Sequence, residues 1–223
     1  MYGGSADFPS MSKGIFREVM VSAVQICPRL LSKSDNLEKT LRMVETAARN
    51  GARLIALPEL TLTGYIFNSL AEAMPVAETV PGPSTEELAH KCAELDVYTV
   101  IGLLERDADS VYNTAVLLGP KGIIGKYRKT HLPYCGVDRF VSKGDIEYTV
   151  YDTEVGRVGM QICYDLQHPE GSRVLTLKGV QILVNIANWP TGVEFMPDFV
   201  IPTRVIENRI HLLACDRVGL ERG

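Results

Sequence analysis

RVGMQICYDLQHPEGSRVLTLKGVQILVNI, residues 157–186, predicts a strand, a turn, a helix and a second strand in succession. Residues 157–162 and 180–186 are short, mainly apolar runs, which are typical of buried strands. Between them, Pro169 and Glu170 fall in the first turn of a predicted helix over 169–178, where proline and acidic residues are favoured. A strand, a helix and a strand in this order indicate an α/β protein.

The rest of the chain continues this alternation. The segment GPKG at 119–122 separates two strand-like runs and indicates a β-hairpin. The predicted strands outside 157–186 cover residues 18–26, 53–58, 97–103, 112–118, 123–129, 148–152 and 210–215, and the predicted helices cover 35–50, 84–95 and 198–208. We therefore expect one α/β domain over residues 15–223, with helices covering a mixed sheet, preceded by a loose tail at residues 1–14.

Composition narrows the classes of partner. The chain has 46% hydrophobic and 22% charged residues and a net charge of -4, so it offers no basic field for nucleic acid. Its longest apolar runs are too short to cross a bilayer, which favours a cytoplasmic protein without a membrane partner. The five cysteines contain no CxxC pair, so neither a disulfide framework nor a metal site is expected. Small molecules, or further copies of the same chain, are the expected partners.

Three residues stand at positions where chemistry is favoured. Cys163 ends the strand VGMQIC, and ligands of open α/β sheets collect beyond the carboxyl ends of strands. Glu59 follows a buried apolar run, where loss of water raises the affinity of a carboxylate for a proton. Lys129 ends the strand-like run GIIGKYRK. Taken alone, each residue also fits a structural role: a packed thiol, a helix cap or ion-pair partner, and a solvated basic cluster.

The contexts of these three residues together resemble a known family. LPEL around Glu59, YRKTHLP around Lys129 and GMQICYDLQHPEGSR around Cys163 resemble the three signature blocks of the nitrilase superfamily, in the same order. The segments VSAVQICP, VYNTAVLLGPKGIIGKYRK, ANWP and RVIENRIHLLACDRVG extend the resemblance over nearly the whole chain. The resemblance implies an αββα sandwich that pairs into an αββααββα homodimer or a higher homo-oligomer.

The resemblance also implies a chemistry, carbon–nitrogen bond hydrolysis without a metal or an organic cofactor. Cys163 would be the nucleophile that forms a thioester, and Glu59 would transfer protons. Lys129 and the backbone N–H of Tyr164 would stabilise the oxyanion. Asn188 and Trp189 follow a predicted strand and are candidates for substrate binding.

Two features depart from the family pattern. Many members carry a second glutamate after the lysine block, whereas the loop THLPYCGVDRFVSKGD at 130–145 has none, and Asp138 is its nearest acidic replacement. Family chains usually continue beyond the position of Gly223, so we expect the domain to lack the family's C-terminal strands.

The substrate class is predicted from the nucleophile's neighbours. Cys163-Tyr164-Asp165 resembles the amidase and carbamoylase branches, whereas nitrile-cleaving members tend to have Cys-Trp-Glu, so hydrolysis of an amide or N-carbamoyl compound is preferred. Nitrile hydrolysis, and a non-catalytic scaffold that retains the fold, are the alternatives. A further alternative is a Cys-His hydrolase that uses His131 or His168 as its base.

Overall fold

The computed structural model describes residues 18–222, and the loose tail predicted for residues 1–14 lies outside them. The strands of the described part are β1 (Val21–Ala23), β2 (Leu54–Ala56), β3 (Tyr98–Asp107), β4 (Ser110–Gly119), β5 (Gly122–Arg128), β6 (Val150–Thr153), β7 (Gly156–Ile162), β8 (Ile182–Ala187) and β9 (His211–Asp216). Its α-helices are α1 (Lys33–Arg49), α2 (Leu70–Ala73), α3 (Pro83–Leu95), α4 (Pro169–Leu177) and α5 (Ile201–Asn208).

The strands form two separate sheets. The first sheet has the order β1-β2-β3-β4-β5, in which β1, β2 and β3 are parallel and β4 is antiparallel to both of its neighbours. The second sheet has the order β6-β7-β8-β9, in which β6 is antiparallel to β7 and the other three strands are parallel. The sequence pattern alone predicted a mixed sheet, and the structure divides it into two.

The two sheets pack face to face between two layers of helices. Alternate residues of each sheet, including Val100 and Leu117 of the first and Met160 and Val184 of the second, form a shared buried core. The opposite face of the first sheet packs against α1 and α3, and that of the second sheet packs against α4 and α5. This order of layers confirms the αββα sandwich.

Most predicted elements are confirmed, with different bounds. The hairpin of β4 and β5 forms where predicted, and Gly119 pairs with Gly122, whose positive φ of 104° suits glycine. The strand predicted at 18–26 is limited to Val21–Ala23. The pattern missed the four-residue helix α2, whereas the turn predicted after β7 is present as the 3₁₀ turn Cys163–Gln167.

The carboxyl ends of the parallel strands in the two sheets meet at one place. The backbone N–H of Glu59, just beyond β2, donates to the carbonyl of Ala187, the last residue of β8, at 3.3 Å. Side chains that follow β2, β5, β7 and β8 are therefore brought together. Within residues 18–222, no helix is both long and apolar enough to cross a bilayer.

Candidate active site

Lys129 lies between two carboxylates in the interior. Its Nζ donates to Oε1 of Glu59 at 2.6 Å and to Oδ2 of Asp138 at 2.5 Å. All three side chains are fully buried. Asp138 reaches the lysine from the 3₁₀ turn Gly136–Arg139, so the loop that lacks a glutamate still supplies a carboxylate. The structure thus brings Asp138 to the same place as Glu59 and Lys129.

Cys163 joins this cluster from the second sheet. It follows β7 directly, is buried, and begins a 3₁₀ turn with a φ of 49°. A positive φ is unfavourable for a residue with a side chain and persists only where the surroundings impose it. The thiol lies close enough to interact electrostatically with Glu59, Lys129 and Asp138, and the backbone N–H of Asn188 hydrogen-bonds to it. The three sequence-predicted groups therefore share one site.

Burial controls the protonation of the cluster. Burial, with the charge of Asp138 added, raises the pKa of Glu59 against the opposing effect of Lys129. Burial alone would lower the pKa of Lys129, but Glu59, Cys163 and Asp138 together raise it well above its usual range. Burial and the charge of Glu59 raise the pKa of the Cys163 thiol well above its ordinary value. The resting site therefore combines an ammonium ion with a neutral thiol.

Two polar side chains that sequence reasoning missed complete the cluster. Nδ2 of Asn113, on β4, donates to Oε1 of Glu59 at 2.6 Å and to Oδ1 of Asp138 at 3.0 Å. The hydroxyl of Tyr65 donates to Oδ2 of Asp138 at 2.8 Å. A buried asparagine inside an apolar strand was a signal for Asn113, whereas nothing in the local pattern distinguished Tyr65.

Gly102 on β3 makes room for Glu59. A Cβ atom at Gly102 would lie 2.4 Å from the backbone nitrogen of Leu60 and 2.9 Å from Cα of Glu59. Such distances are too short for any side chain, so glycine allows the segment after β2 to cross β3 closely. The position of Glu59 thus depends on a glycine about 40 residues away, which sequence reasoning did not single out.

Asp165 connects the segment that carries Lys129 to the turn that begins at Cys163. Its Oδ2 accepts hydrogen bonds from the hydroxyl of Tyr127 at 2.9 Å and from the backbone N–H of Ile162 at 3.2 Å. Its Oδ1 accepts one from the backbone N–H of His131 at 2.8 Å. The side chain is fully buried, so it fixes the start of the Cys163 turn against the segment that carries Lys129.

Replacing Asp165 with alanine is expected to lower the free energy of unfolding by about 3 kcal/mol, because several buried donors lose their acceptor at once. Urea unfolding measures the loss. The matched control is Asp152→Ala on β6, where the aspartate is exposed, and a change below about 0.5 kcal/mol is expected. Equal losses in the two variants would contradict the connecting role of Asp165.

The two histidines of the signature blocks have other partners in the structure. Nδ1 of His131 lies 2.9 Å from Oδ1 of Asp165, and its ring stacks on His168 with the centroids 3.8 Å apart. Burial and the neighbouring His131 lower the pKa of His168. These contacts support the turn that carries Cys163, and they do not favour a Cys-His pair.

The remaining predicted residues are Tyr164, Asn188 and Trp189. The Tyr164 ring meets His168 edge to face. Trp189 packs against the core between the sheets and against the core beneath α4 and α5, and its backbone N–H donates to Asp216 at 2.8 Å. Their predicted roles, and substrate binding by Asn188, stay predictions. Among residues 18–222, no group of three or more His, Cys, Asp or Glu is arranged to hold a metal ion.

Known proteins resemble this chain in sequence and in fold. Residues 20–223 match the family model described as carbon-nitrogen hydrolase. A nitrilase of Pyrococcus abyssi is 39% identical over 206 residues, which cover 92% of this chain and 77% of the relative. An omega-amidase of Xenopus laevis is 34% identical over 195 residues, covering 81% of this chain and 68% of the relative. A nitrilase-superfamily protein of Saccharomyces cerevisiae, a member of branch 10, superposes with a TM-score of 0.80 at 23% identity, over 92% of this chain and 78% of the other.

Proposed function

Because the chain belongs to the carbon-nitrogen hydrolase family of the nitrilase superfamily, we propose that it hydrolyses the amide or N-carbamoyl bond of a small molecule through a thioester on Cys163. The observation that carries the proposal is the buried cluster in which Lys129 bridges Glu59 and Asp138 beside that thiol. A thiol, a base and a cation in one cluster are the groups that acyl transfer requires.

The first step forms the thioester. Sγ of Cys163 attacks the carbonyl carbon while its proton passes to Glu59. A thiolate formed beforehand by loss of its proton to solvent would bring a second net negative charge into a site that already holds two carboxylates and one ammonium, whereas transfer to Glu59 during attack leaves the net charge unchanged. As the carbonyl oxygen becomes negative, the ammonium of Lys129 and the backbone N–H of Tyr164 stabilise it. Glu59 then protonates the leaving nitrogen, which departs as ammonia or an amine.

The second step releases the acid. Glu59 takes a proton from water, the resulting hydroxide attacks the thioester carbon, and the carbon–sulfur bond breaks. The departing sulfur takes the proton back from Glu59, so the thiol and the carboxylate are both restored. Water has then been added across one carbon–nitrogen bond, with no net change of oxidation state.

Asp138 fills the position expected of the missing second glutamate in this proposal. Its carboxylate balances the charge of Lys129 when Glu59 is protonated, so the lysine keeps an anionic partner through both steps. The hydroxyl of Tyr65 holds the same carboxylate. The shorter side chain is compensated because the 3₁₀ turn that contains Asp138 packs closely on Tyr65: a Cβ atom at Gly136 would lie 2.2 Å from that ring.

Ammonia release and adduct formation test the function directly. On incubation with primary amides and N-carbamoyl compounds, the protein is expected to release ammonia, and acid-quenched samples are expected to carry the acyl mass on the peptide that contains Cys163. Peptide mass spectrometry locates the adduct. Activity on nitriles alone would favour the second candidate, nitrile hydrolysis, which the name of the Pyrococcus abyssi relative supports. The absence of both ammonia and adduct across the panel would favour the non-catalytic scaffold.

Homo-oligomer formation and a cytoplasmic location belong to the same proposal. Leu177 at the end of α4, Ile206 on α5 and Phe199 just before α5 are large apolar side chains that are exposed in the single chain. Because large apolar side chains gain from being covered by a partner, their exposure on this layer supports pairing through α4 and α5. Light scattering of the purified protein measures the mass of the particle.

A further inference from the structure

Asn113 connects both carboxylates of the site with a single amide group. Its side chain is fully buried on β4. The two N–H groups of Nδ2 donate hydrogen bonds to Oε1 of Glu59 and to Oδ1 of Asp138. Its backbone carbonyl also accepts the backbone N–H of Lys129 at 2.8 Å. Asn113 therefore contacts both carboxylates of the cluster through its side chain and the backbone of Lys129 through its carbonyl.

The two oxygens of Glu59 have different surroundings. Oε1 accepts hydrogen bonds from both Lys129 and Asn113, each at 2.6 Å. Oε2 is buried and has no hydrogen-bond partner among the described residues. Donors that bind an ionised oxygen stabilise its charge and lower its affinity for a proton. The proton that enters this site therefore has one favourable acceptor on Glu59, which is Oε2.

We propose that Asn113 is a positioning residue which, together with Lys129, occupies Oε1 of Glu59 and leaves Oε2 to exchange the proton. This inference rests on the proposed function and deepens it. In the first step the Sγ–H bond of Cys163 breaks as an Oε2–H bond forms, and the proton then passes to the leaving nitrogen. In the second step Oε2 receives a proton from water and returns it to the departing sulfur.

A neutral amide suits this position better than a charged or apolar group of the same size. Glu59 is faced by Lys129 after β5, Asp138 in its 3₁₀ turn, Cys163 after β7 and the Tyr65 hydroxyl. Asp138 raises the pKa of Glu59, whereas Lys129 and the hydrogen bond from Asn113 lower it. Asn113 thus favours the ionised carboxylate at the start of attack without adding charge to the site.

The pH dependence of Cys163 alkylation by iodoacetamide tests the inference without requiring turnover. Peptide mass spectrometry follows the rate at Cys163 alone, and kcat and KM are measured with an amide substrate where there is turnover. Asn113→Leu has a similar volume and no donors, and it is expected to slow alkylation and to lower kcat by about 10- to 100-fold at neutral pH with KM little changed. The acid limb of the pH profile for Cys163 alkylation is expected to move to higher pH in this variant. Asn113→Asp keeps the shape but adds a carboxylate, and it is expected to move the acid limb in the same direction. This variant is used for the test if Asn113→Leu does not fold.

The matched control is Asn185→Leu. Asn185 is also a fully buried asparagine on a strand, β8, and we expect its replacement to leave the pH profile unchanged. An unmoved acid limb in a folded Asn113 variant would overturn the inference, and so would an equal loss in Asn185→Leu. A shifted alkylation profile in a protein that releases no ammonia or amine would refute the proposed function while sustaining this inference. Turnover together with an unshifted alkylation profile would sustain the proposed function and refute this inference.

Discussion

Cys163→Ala is expected to lower kcat/KM by at least about 10⁴-fold, because removing the nucleophile removes the thioester route and leaves the oxyanion groups alone. The substitution deletes one buried atom, so the variant is expected to fold with a free energy of unfolding within about 1 kcal/mol of the wild type. Ammonia release measures the first quantity and urea unfolding the second.

Cys92→Ala is the matched control for this prediction. Cys92 is also a buried thiol, and burial raises its pKa to about 11, but it packs in the core between the helices and the first sheet. Its hydrogen-bond partner is Thr99 instead of a charged group. Near wild-type turnover is therefore expected. A Cys163→Ala variant that retained more than about 1% of wild-type turnover would exclude the nucleophile assignment.

Lys129→Met is expected to lower both stability and activity strongly. Methionine fills much of the same space but leaves Glu59 and Asp138 buried without their shared cation, a loss of about 3–5 kcal/mol at neutral pH. Turnover is expected to fall by about 10³-fold, because the oxyanion loses its charged donor. Urea unfolding between about pH 5 and pH 8, together with ammonia release, measures both effects.

The pH dependence of this loss has a definite sign. Without the ammonium, burial and the charge of Asp138 raise the pKa of Glu59 without opposition from Lys129, so in the folded variant it lies further above its value in the unfolded chain. The folded variant then binds more protons, so its stability falls as pH rises through that window and recovers as pH falls. The gap to the wild type is expected to narrow towards pH 5. Adding Asp138→Asn to the Lys129→Met variant is expected to restore part of the stability without restoring activity, since one buried charge is removed.

Lys126→Met, on the strand that directly precedes Lys129, provides the comparison. Lys126 is about 29% exposed, and its partner Glu105 also accepts hydrogen bonds from Arg128 and Thr114. A loss near 1 kcal/mol and a wild-type pH slope are therefore expected. Similar losses for the two lysines, or a gap that widens towards acid, would contradict the assignment of Lys129 as the shared cation.

Sequence reasoning was strongest where a residue follows a strong local pattern. The apolar run before Glu59 and the strand before Cys163 placed both residues beyond strand ends, and the structure has them there. The division into two sheets was harder, because period-two patterns show that a strand has a buried face without showing which strand covers it. The two-sheet arrangement was predicted from the resemblance to the family and not from the periodicity.

Partners that meet only after folding were the least predictable. Asn113 lies 54 residues from Glu59 along the chain, and Tyr65 lies 73 residues from Asp138. Local pattern carries no information about such distant pairs. Trp189 is a different case: its position after a strand suggested a substrate role, which stays a prediction, and its side chain packs against two apolar clusters.

The packed layer between the two sheets determines how the site residues are positioned relative to each other. The carboxylate and ammonium are attached to one sheet and the sulfur to the other, and the apolar side chains packed in between set their separation. Protein interiors are as dense as organic crystals and transmit displacement instead of absorbing it. A void opened in that layer would shift the sulfur relative to the carboxylate while both sheets stayed intact, so the alignment of the proposed catalytic groups depends on how rigidly the two sheets pack against each other.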